Sequence, residues 1–116
     1  MSIAPEEFCS LAKQLSNDND YKSETVRRTV IGRIYYGCFL KARNKFGVHG
    51  LNLKKRTEIH QLVAMNLTKY DPKLGDFLKK LRKKRNKADY DIHLTITDSE
   101  VNFTILIADQ LLLHLN

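Results

Sequence analysis

One helix with an inward-facing arginine is predicted by the stretch Lys79-Lys80-Leu81-Arg82-Lys83-Lys84-Arg85-Asn86-Lys87-Ala88-Asp89-Tyr90. The first nine of these residues carry seven positive charges. Leu81 lies four residues before Arg85 and Ala88 lies three residues after it, so Arg85 falls on the apolar stripe of the helix. Burying a charge is costly unless it is paired. We therefore expect Arg85 to meet a carboxylate, a partner chain or a bound phosphate.

Two interpretations of Arg85 stay open at this point. Asp89 lies four residues further along the same helix, so a structural ion pair is available. Alternatively, Arg85 holds a phosphate or faces a second copy of the chain across a cleft. Both can hold at once.

Positive charge is concentrated in the middle of the chain. Residues 1–20 carry a net charge of −3, residues 21–91 carry +13 and residues 92–116 carry −3, which accounts for the total of +7. A segment this basic attracts polyanions, and phosphate contacts supply much of the affinity for nucleic acid. A solvated helix face, offset by acidic ends or by an acidic partner, is the alternative. The residues expected to contact nucleic acid are Lys79, Lys80, Arg82, Lys83, Lys84 and Lys87.

Start and stop signals divide the chain into five predicted helices. The first covers about residues 5–15, since Pro5 and the acidic pair after it suit a first turn, and residues 17–20 break it. The second begins after Ser23 as N-cap and stops at Gly47. A loop over about residues 48–53 leads to the third, which ends near Tyr70.

The last two predicted helices have clearer N-terminal signals. Asp71-Pro72 reads as an N-cap followed by a first-turn proline, and this fourth helix runs to about Asp91. Thr97-Asp98-Ser99-Glu100 matches a capping box that starts a fifth helix ending near Leu115. The fifth helix is apolar nearly all round, which predicts a central position or a dimer seam. Short connections favour an all-α, antiparallel, up-and-down bundle that forms one domain over residues 1–116.

Composition excludes several classes of protein. The longest apolar runs are too short to span a membrane, and the acidic N-terminus does not resemble a signal peptide, so a cytoplasmic protein is the expectation. Cys9 and Cys38 lack the CxxC spacing and are expected to be buried thiols without a disulfide or catalytic role. The four histidines, at positions 49, 60, 93 and 114, lack the short spacings of zinc ligands. We expect no metal and no cofactor.

Three motifs in order resemble the HEPN superfamily. They are Arg33-Ile34-Tyr35-Tyr36-Gly37-Cys38-Phe39 in the second helix, a lysine-rich turn leading to His60, and the ending Arg85-Asn86-Lys87-Ala88-Asp89-Tyr90. The resemblance covers about residues 23–115 and is greatest to stand-alone bacterial and archaeal members. It implies a HEPN-like helical bundle that pairs as a homodimer through its motif-bearing helices. Many members are metal-independent endoribonucleases of toxin–antitoxin, antiphage defence or CRISPR-linked systems, so the resemblance implies RNA as ligand.

The resemblance also assigns candidate catalytic residues. The family signature is an arginine and a histidine separated by four to six residues, often with a polar residue just after the arginine. Arg85 and Asn86 match the first half, whereas Tyr90 stands where a histidine is expected and His93 lies one residue beyond the window. Tyrosine, with an ordinary pKa of about 10, is a poor base. The candidate set is thus Arg85, Asn86, Tyr90 and His93, with binding better supported than cleavage.

The remaining aromatic and histidine residues have plain structural interpretations. Tyr35 lies on the apolar stripe and is expected in the core, whereas Tyr36 lies off it and is a candidate to line a cleft. The ring of Tyr90 could simply cover the helix end. His60 is interpreted as a packing or capping residue more readily than as a catalyst.

Two functions of different classes follow. The first is RNA binding or metal-independent RNA cleavage in a basic cleft at a homodimer seam. The second is a non-catalytic interaction module that binds a nucleotidyltransferase-type antitoxin or another acidic protein, for which Tyr90 would be the modified residue by analogy with the family. The apolar fifth helix and the missing histidine motivate the second hypothesis.

Overall fold

The second helix organises the fold because it packs against each of the other four. The computed structural model describes residues 3–18, 23–46 and 56–115, with only the backbone of residues 56 and 57. Over these ranges the chain is all-helical, with five helices and no strand. The helices are α1 (Glu6–Asn17), α2 (Glu24–Lys45), α3 (Arg56–Tyr70), α4 (Pro72–Tyr90) and α5 (Asp98–Leu115).

Local capping signals explain where the helices begin. The Ser23 hydroxyl accepts the Val26 N–H at 3.2 Å, as the N-cap prediction requires. The capping box is confirmed in both directions: the Glu100 N–H donates to the Thr97 hydroxyl at 3.2 Å, and the Thr97 N–H donates to the Glu100 carboxylate at 2.9 Å.

The first turns of α4 and α1 differ in how they are capped. Asp71 caps α4, because its carboxylate accepts the Lys73 N–H at 3.0 Å. In α1 the N-cap position is Pro5, which has no side chain able to cap. The predicted stop at Gly47, the loop over residues 48–53 and the end of the break at residues 19–20 lie outside the described residues.

A continuous apolar stripe on α2 forms the centre of the core. Its buried members recur every three or four residues and face the other helices. Tyr35 is among them, only 2% exposed, which confirms its predicted core position. The buried residues of this stripe are Val30, Ile31, Ile34, Tyr35, Cys38, Phe39 and Ala42.

A polar network from the start of α2 holds the end of α4. The Arg28 guanidinium donates to the Ala88 carbonyl at 2.8 Å and to the Asp91 carbonyl at 3.2 Å, and it also donates to the Leu94 carbonyl. The last carbonyls of a helix lack intrahelical partners and carry partial negative charge, so a cation there is doubly favourable. Arg28 is in turn paired with Glu24 at 3.2 Å.

The same network fixes the segment between α4 and α5. The Glu24 carboxylate accepts the Ile96 N–H at 2.9 Å, and Arg27 Nε donates to the Ile96 carbonyl at 2.7 Å. These bonds hold the pKa of Glu24 below its ordinary value, with the Ile96 N–H as the main cause and Arg28 contributing. The first turn of α2 therefore positions both the end of α4 and the approach to α5.

Helix α1 lies very close to α2 at Gly37. A Cβ atom built on Gly37 would lie 2.7 Å from Cys9 Sγ and 2.8 Å from the Pro5 carbonyl oxygen. Both distances are shorter than real Cβ contacts, so glycine is required by space and not by backbone angle. By contrast, a Cβ on Gly32 of the same helix would meet only a carboxylate oxygen of Asp89 at 3.5 Å.

The two cysteines are buried, unlinked thiols at this α1–α2 contact, as predicted. Cys9 donates to the Ile34 carbonyl, with the sulfur 3.7 Å from the oxygen. A hydrogen bond with Cys9, together with burial, raises the pKa of Cys38. Cys38 therefore stays protonated and unreactive at neutral pH.

Helix α5 packs one face on the core and leaves a second apolar face exposed. Val101, Ile107 and Leu111 are buried, whereas Leu106 is 60% exposed and Leu113 is 67% exposed. The predicted central position of α5 therefore holds for one face only. Over the described ranges, no helix combines the length and apolar character needed to cross a membrane.

The two glycines of α2 provide a matched test of this packing. We expect Gly37→Ala to lower the free energy of unfolding by about 1–3 kcal/mol, because the added methyl group overpacks the α1–α2 contact. Gly32→Ala should instead raise it by up to about 1 kcal/mol, since alanine is the better helix former. Urea denaturation of both variants measures the difference, and equal effects would contradict the close approach of α1 to α2.

Candidate functional site

A cavity rich in arginine lies between α2, α3 and α4. Its volume is about 820 Å³, within the range of ligand-binding pockets. Among the described residues, four arginines line it, Arg33 and Arg43 from α2 and Arg82 and Arg85 from α4, together with one carboxylate, that of Asp89. We call this space the arginine cavity.

Three of the four arginines have no carboxylate partner in the described part of the chain. Within residues 3–18, 23–46 and 56–115, no acidic side chain lies within ion-pair distance of Arg33, Arg43 or Arg82. The Nε–H groups of Arg43 and Arg82 are buried and donate to no acceptor among the described residues. A buried donor without an acceptor is unfavourable, so these two guanidinium groups are incompletely satisfied by the described part of the chain.

Arg85 forms the ion pair with Asp89 that its place in the sequence allows, and it also lines the arginine cavity. Its Nε lies 3.1 Å from the Asp89 carboxylate, and its side chain is 25% exposed on the cavity wall. The guanidinium carbon lies 5.7 Å from the ring centre of Tyr35 and 5.6 Å from that of Tyr90. The two rings and the carboxylate hold the guanidinium in place while one part of it faces the cavity.

A stacked aromatic cluster with a hydrogen-bonded pair forms the inner wall. The hydroxyl of Tyr35 and Nδ1 of His60 are 2.5 Å apart. The His60 ring stacks on Phe39 with the ring centres 4.0 Å apart, and on Tyr35 at 5.6 Å. All three residues line the arginine cavity, so a titratable imidazole stands beside four arginines.

The Tyr35 phenol stays protonated at neutral pH. Burial raises the pKa of Tyr35 to about 12, although the positive charges of Arg82 and Arg85 act in the opposite direction. The tautomer of His60 decides the direction of the hydrogen bond: the phenol donates when Nδ1 carries no proton and accepts when Nδ1 carries one.

The structure brings together only part of the predicted catalytic set. Arg85 and Tyr90 line the arginine cavity, and Tyr90 is 67% exposed. The Asn86 side-chain oxygen accepts a hydrogen bond from Arg85 at 2.9 Å, although Asn86 does not itself line the cavity. His93 is exposed in the turn after α4 and is not among the lining residues.

The residues of the basic run lie in different surroundings. Arg82 lines the arginine cavity, and Lys79 lines a smaller neighbouring one. Lys84 and Lys87 turn toward α5 and both pair with Glu100, with the Lys84 nitrogen 3.6 Å from the carboxylate. Lys80 pairs with Asp76 at 3.1 Å, and Lys83 is exposed.

Three residues line the cavity although the sequence does not mark them as site residues. In the sequence Arg33 stands out only as part of a family motif, Arg43 belongs to no motif, and His60 has a packing interpretation. A signal for the α2 residues does exist: Gly32, Tyr36, Phe39 and Arg43 recur every three or four residues, which marks one helix face. His60 has no such signal, because its position depends on how α3 packs against α2.

The described residues of this region do not suggest a metal site. Among the described residues, no cluster of three or more histidine, cysteine or acidic side chains is arranged to hold a metal ion. The arrangement instead suits an anion: guanidinium groups bind phosphate oxygens in a planar, bidentate geometry.

No family model, curated protein or solved structure matches this chain in comparisons of sequence and fold.

The buried phenol of Tyr35 generates a pH-dependent prediction. Because the pKa is about 12 in the folded state and about 10 in the unfolded chain, stability from the protonated form is complete below about pH 10 and declines as the pH rises toward 12. Between pH 10 and 11 we expect the free energy of unfolding to fall by about 1 kcal/mol in the wild type, and this fall should be absent in Tyr35→Phe. Urea denaturation at both pH values measures it. Tyr70→Phe, which changes an exposed tyrosine, should keep the loss, and the same loss in Tyr35→Phe would refute the assignment.

Proposed function

We propose that this protein binds RNA through the arginine cavity, as a HEPN-like, antiparallel, up-and-down bundle that forms a homodimer. One observation carries the proposal: three arginines that have no carboxylate partner among the described residues converge on one cavity. A bound phosphate would accept hydrogen bonds from guanidinium groups on the cavity wall and offset their mutual repulsion. The net charge of +7 would draw RNA toward the site.

Arg82 is the residue on which this proposal is tested most directly. We expect Arg82→Gln to weaken binding of a labelled single-stranded RNA by about tenfold or more, since hydrogen bonds to charged groups are worth about 1.5–3 kcal/mol. Lys80→Gln removes the same charge outside both cavities and should weaken binding by less than about threefold. Fluorescence anisotropy between about 50 and 200 mM salt gives both the affinity and its salt slope.

Two outcomes would contradict RNA binding at this site. Equal losses in Arg82→Gln and Lys80→Gln would mean that the charge acts without a specific cavity. An absence of salt-sensitive binding would remove RNA as the ligand and favour the protein-interaction function described below.

We further propose that the site cleaves RNA without a metal ion. Such cleavage needs a group that takes the proton of the 2′-hydroxyl, a group that protonates the leaving oxygen, and cations that stabilise the phosphorane. The two arginines of α4 would stabilise the phosphorane, and His60 is the titratable imidazole beside them, linked to the Tyr35 hydroxyl at 2.5 Å. In this proposal His60 takes the part that Tyr90 is poorly suited to play.

Cleavage is tested in the presence of EDTA. We expect wild-type protein to cut a mixed RNA under these conditions, with Arg85→Ala and His60→Asn each losing most of that activity. Lys83→Ala, an exposed residue of the same helix, should retain it. Undiminished cutting by Arg85→Ala would point to a contaminating nuclease, and no cutting by any variant would leave binding as the function.

A second candidate function is supported by exposed apolar side chains. Phe103 and Leu106 of α5 are 46% and 60% exposed, and neither they nor any other residue of α5 lines the arginine cavity. A partner seated on α5 would leave the cavity open, whether it is a second copy or a nucleotidyltransferase-type antitoxin. The high exposure of Tyr90 also makes its hydroxyl accessible to a modifying partner.

A further inference from the structure

A second, smaller space adjoins the arginine cavity. Its volume is about 350 Å³, and we call it the α3–α4 groove because most of its wall comes from those two helices. Tyr35, His60 and Arg82 line both spaces, so these three side chains form the partition between them. A ligand that crosses over these three side chains would occupy both spaces.

The chemistry of the groove differs from that of the arginine cavity. Ala64, Met65 and Leu78 give it an apolar floor and side, and Met65 stays 48% exposed although it is large and apolar. Methionine is polarisable and flexible, which suits contact with flat aromatic rings. The groove thus offers apolar and polarisable surface where its neighbour offers cationic surface.

Polar groups at the edge of the groove complete its character. Gln61 supplies an amide that can both donate and accept hydrogen bonds, and Lys69 and Lys79 lie at the rim. The Thr68 hydroxyl is already engaged, since it donates to the Ala64 carbonyl at 2.7 Å. Gln61 is therefore the group best able to read the hydrogen-bonding edge of a ring.

We propose that the α3–α4 groove holds one unpaired base of an RNA strand whose phosphate occupies the arginine cavity. The inference rests on the proposed function and names its substrate class: a base can enter this groove only when it is neither paired nor stacked in a helix. Sequence-specific recognition of RNA is built mostly on such bases. The two rim lysines then face the neighbouring phosphates of the same strand.

The test compares three labelled probes of equal length by anisotropy: a single-stranded RNA, the same backbone with abasic positions, and a duplex. Wild-type protein should bind the single strand about fivefold or more tighter than the abasic probe, because only the single strand has a base to contact the groove. Met65→Ser should lose most of that advantage while binding the abasic probe as wild type does. Gln61→Ala should reduce the differences among the four bases.

Leu11→Ser is the matched control, because Leu11 is an exposed apolar residue of α1 that lies outside both cavities. Equal binding of abasic and base-bearing probes would overturn the groove assignment while leaving phosphate binding intact. Loss of salt-sensitive binding to every probe, the abasic one included, would instead refute the proposed function itself. Competition by a nucleoside monophosphate at concentrations similar to the RNA would overturn RNA as the source of the base.

Discussion

The arrangement of the site depends on the contact between Arg28 and the end of α4. The last carbonyl groups of a helix are exposed acceptors, and one guanidinium from α2 donates to the Lys87, Ala88 and Asp91 carbonyls at once. Glu24 orients that guanidinium and also accepts an N–H from the segment before α5. The register of α4 against α2 is thereby fixed, and Arg85 is held opposite Tyr35 as a result. If α4 were shifted along α2, the arginines of the two helices would no longer line the same cavity.

Charge is distributed unequally around α4, and this inequality separates structure from function. On the side facing α5, Lys84 and Lys87 share the single carboxylate of Glu100. Burial acts to raise the pKa of Glu100, but these lysines and the Thr97 N–H hold it below its ordinary value. On the opposite side, Arg82 has no acidic partner among the described residues. The paired lysines join α4 to α5, whereas Arg82, which has no acidic partner in the described ranges, favours binding of an anion. The same basic run thus serves both purposes on different faces of one helix.

The five helices were predictable because their signals are local. Caps at Ser23, Asp71 and the Thr97–Glu100 box act within a few residues, and the helical period placed Arg85 inward correctly. The site was less predictable, because Arg43 and His60 acquire meaning only when α2 and α3 meet. The pairing of two lysines with Glu100 likewise required the position of α5. RNA, cleavage and the homodimer stay predictions, since they concern molecules outside the chain.

The buried thiols at the α1–α2 contact have a practical consequence. Helix α1 is joined to α5 by the ion pair of Lys13 with Asp109 at 2.7 Å, and most of its packing is on α2, where Gly37 allows close approach. Cys9 and Cys38 become accessible to an alkylating reagent only when that contact opens. Their rate of modification would therefore report the local detachment of one helix, separately from global denaturation. Cys9 and Cys38 are therefore a built-in pair of chemical probes for the contact between α1 and α2.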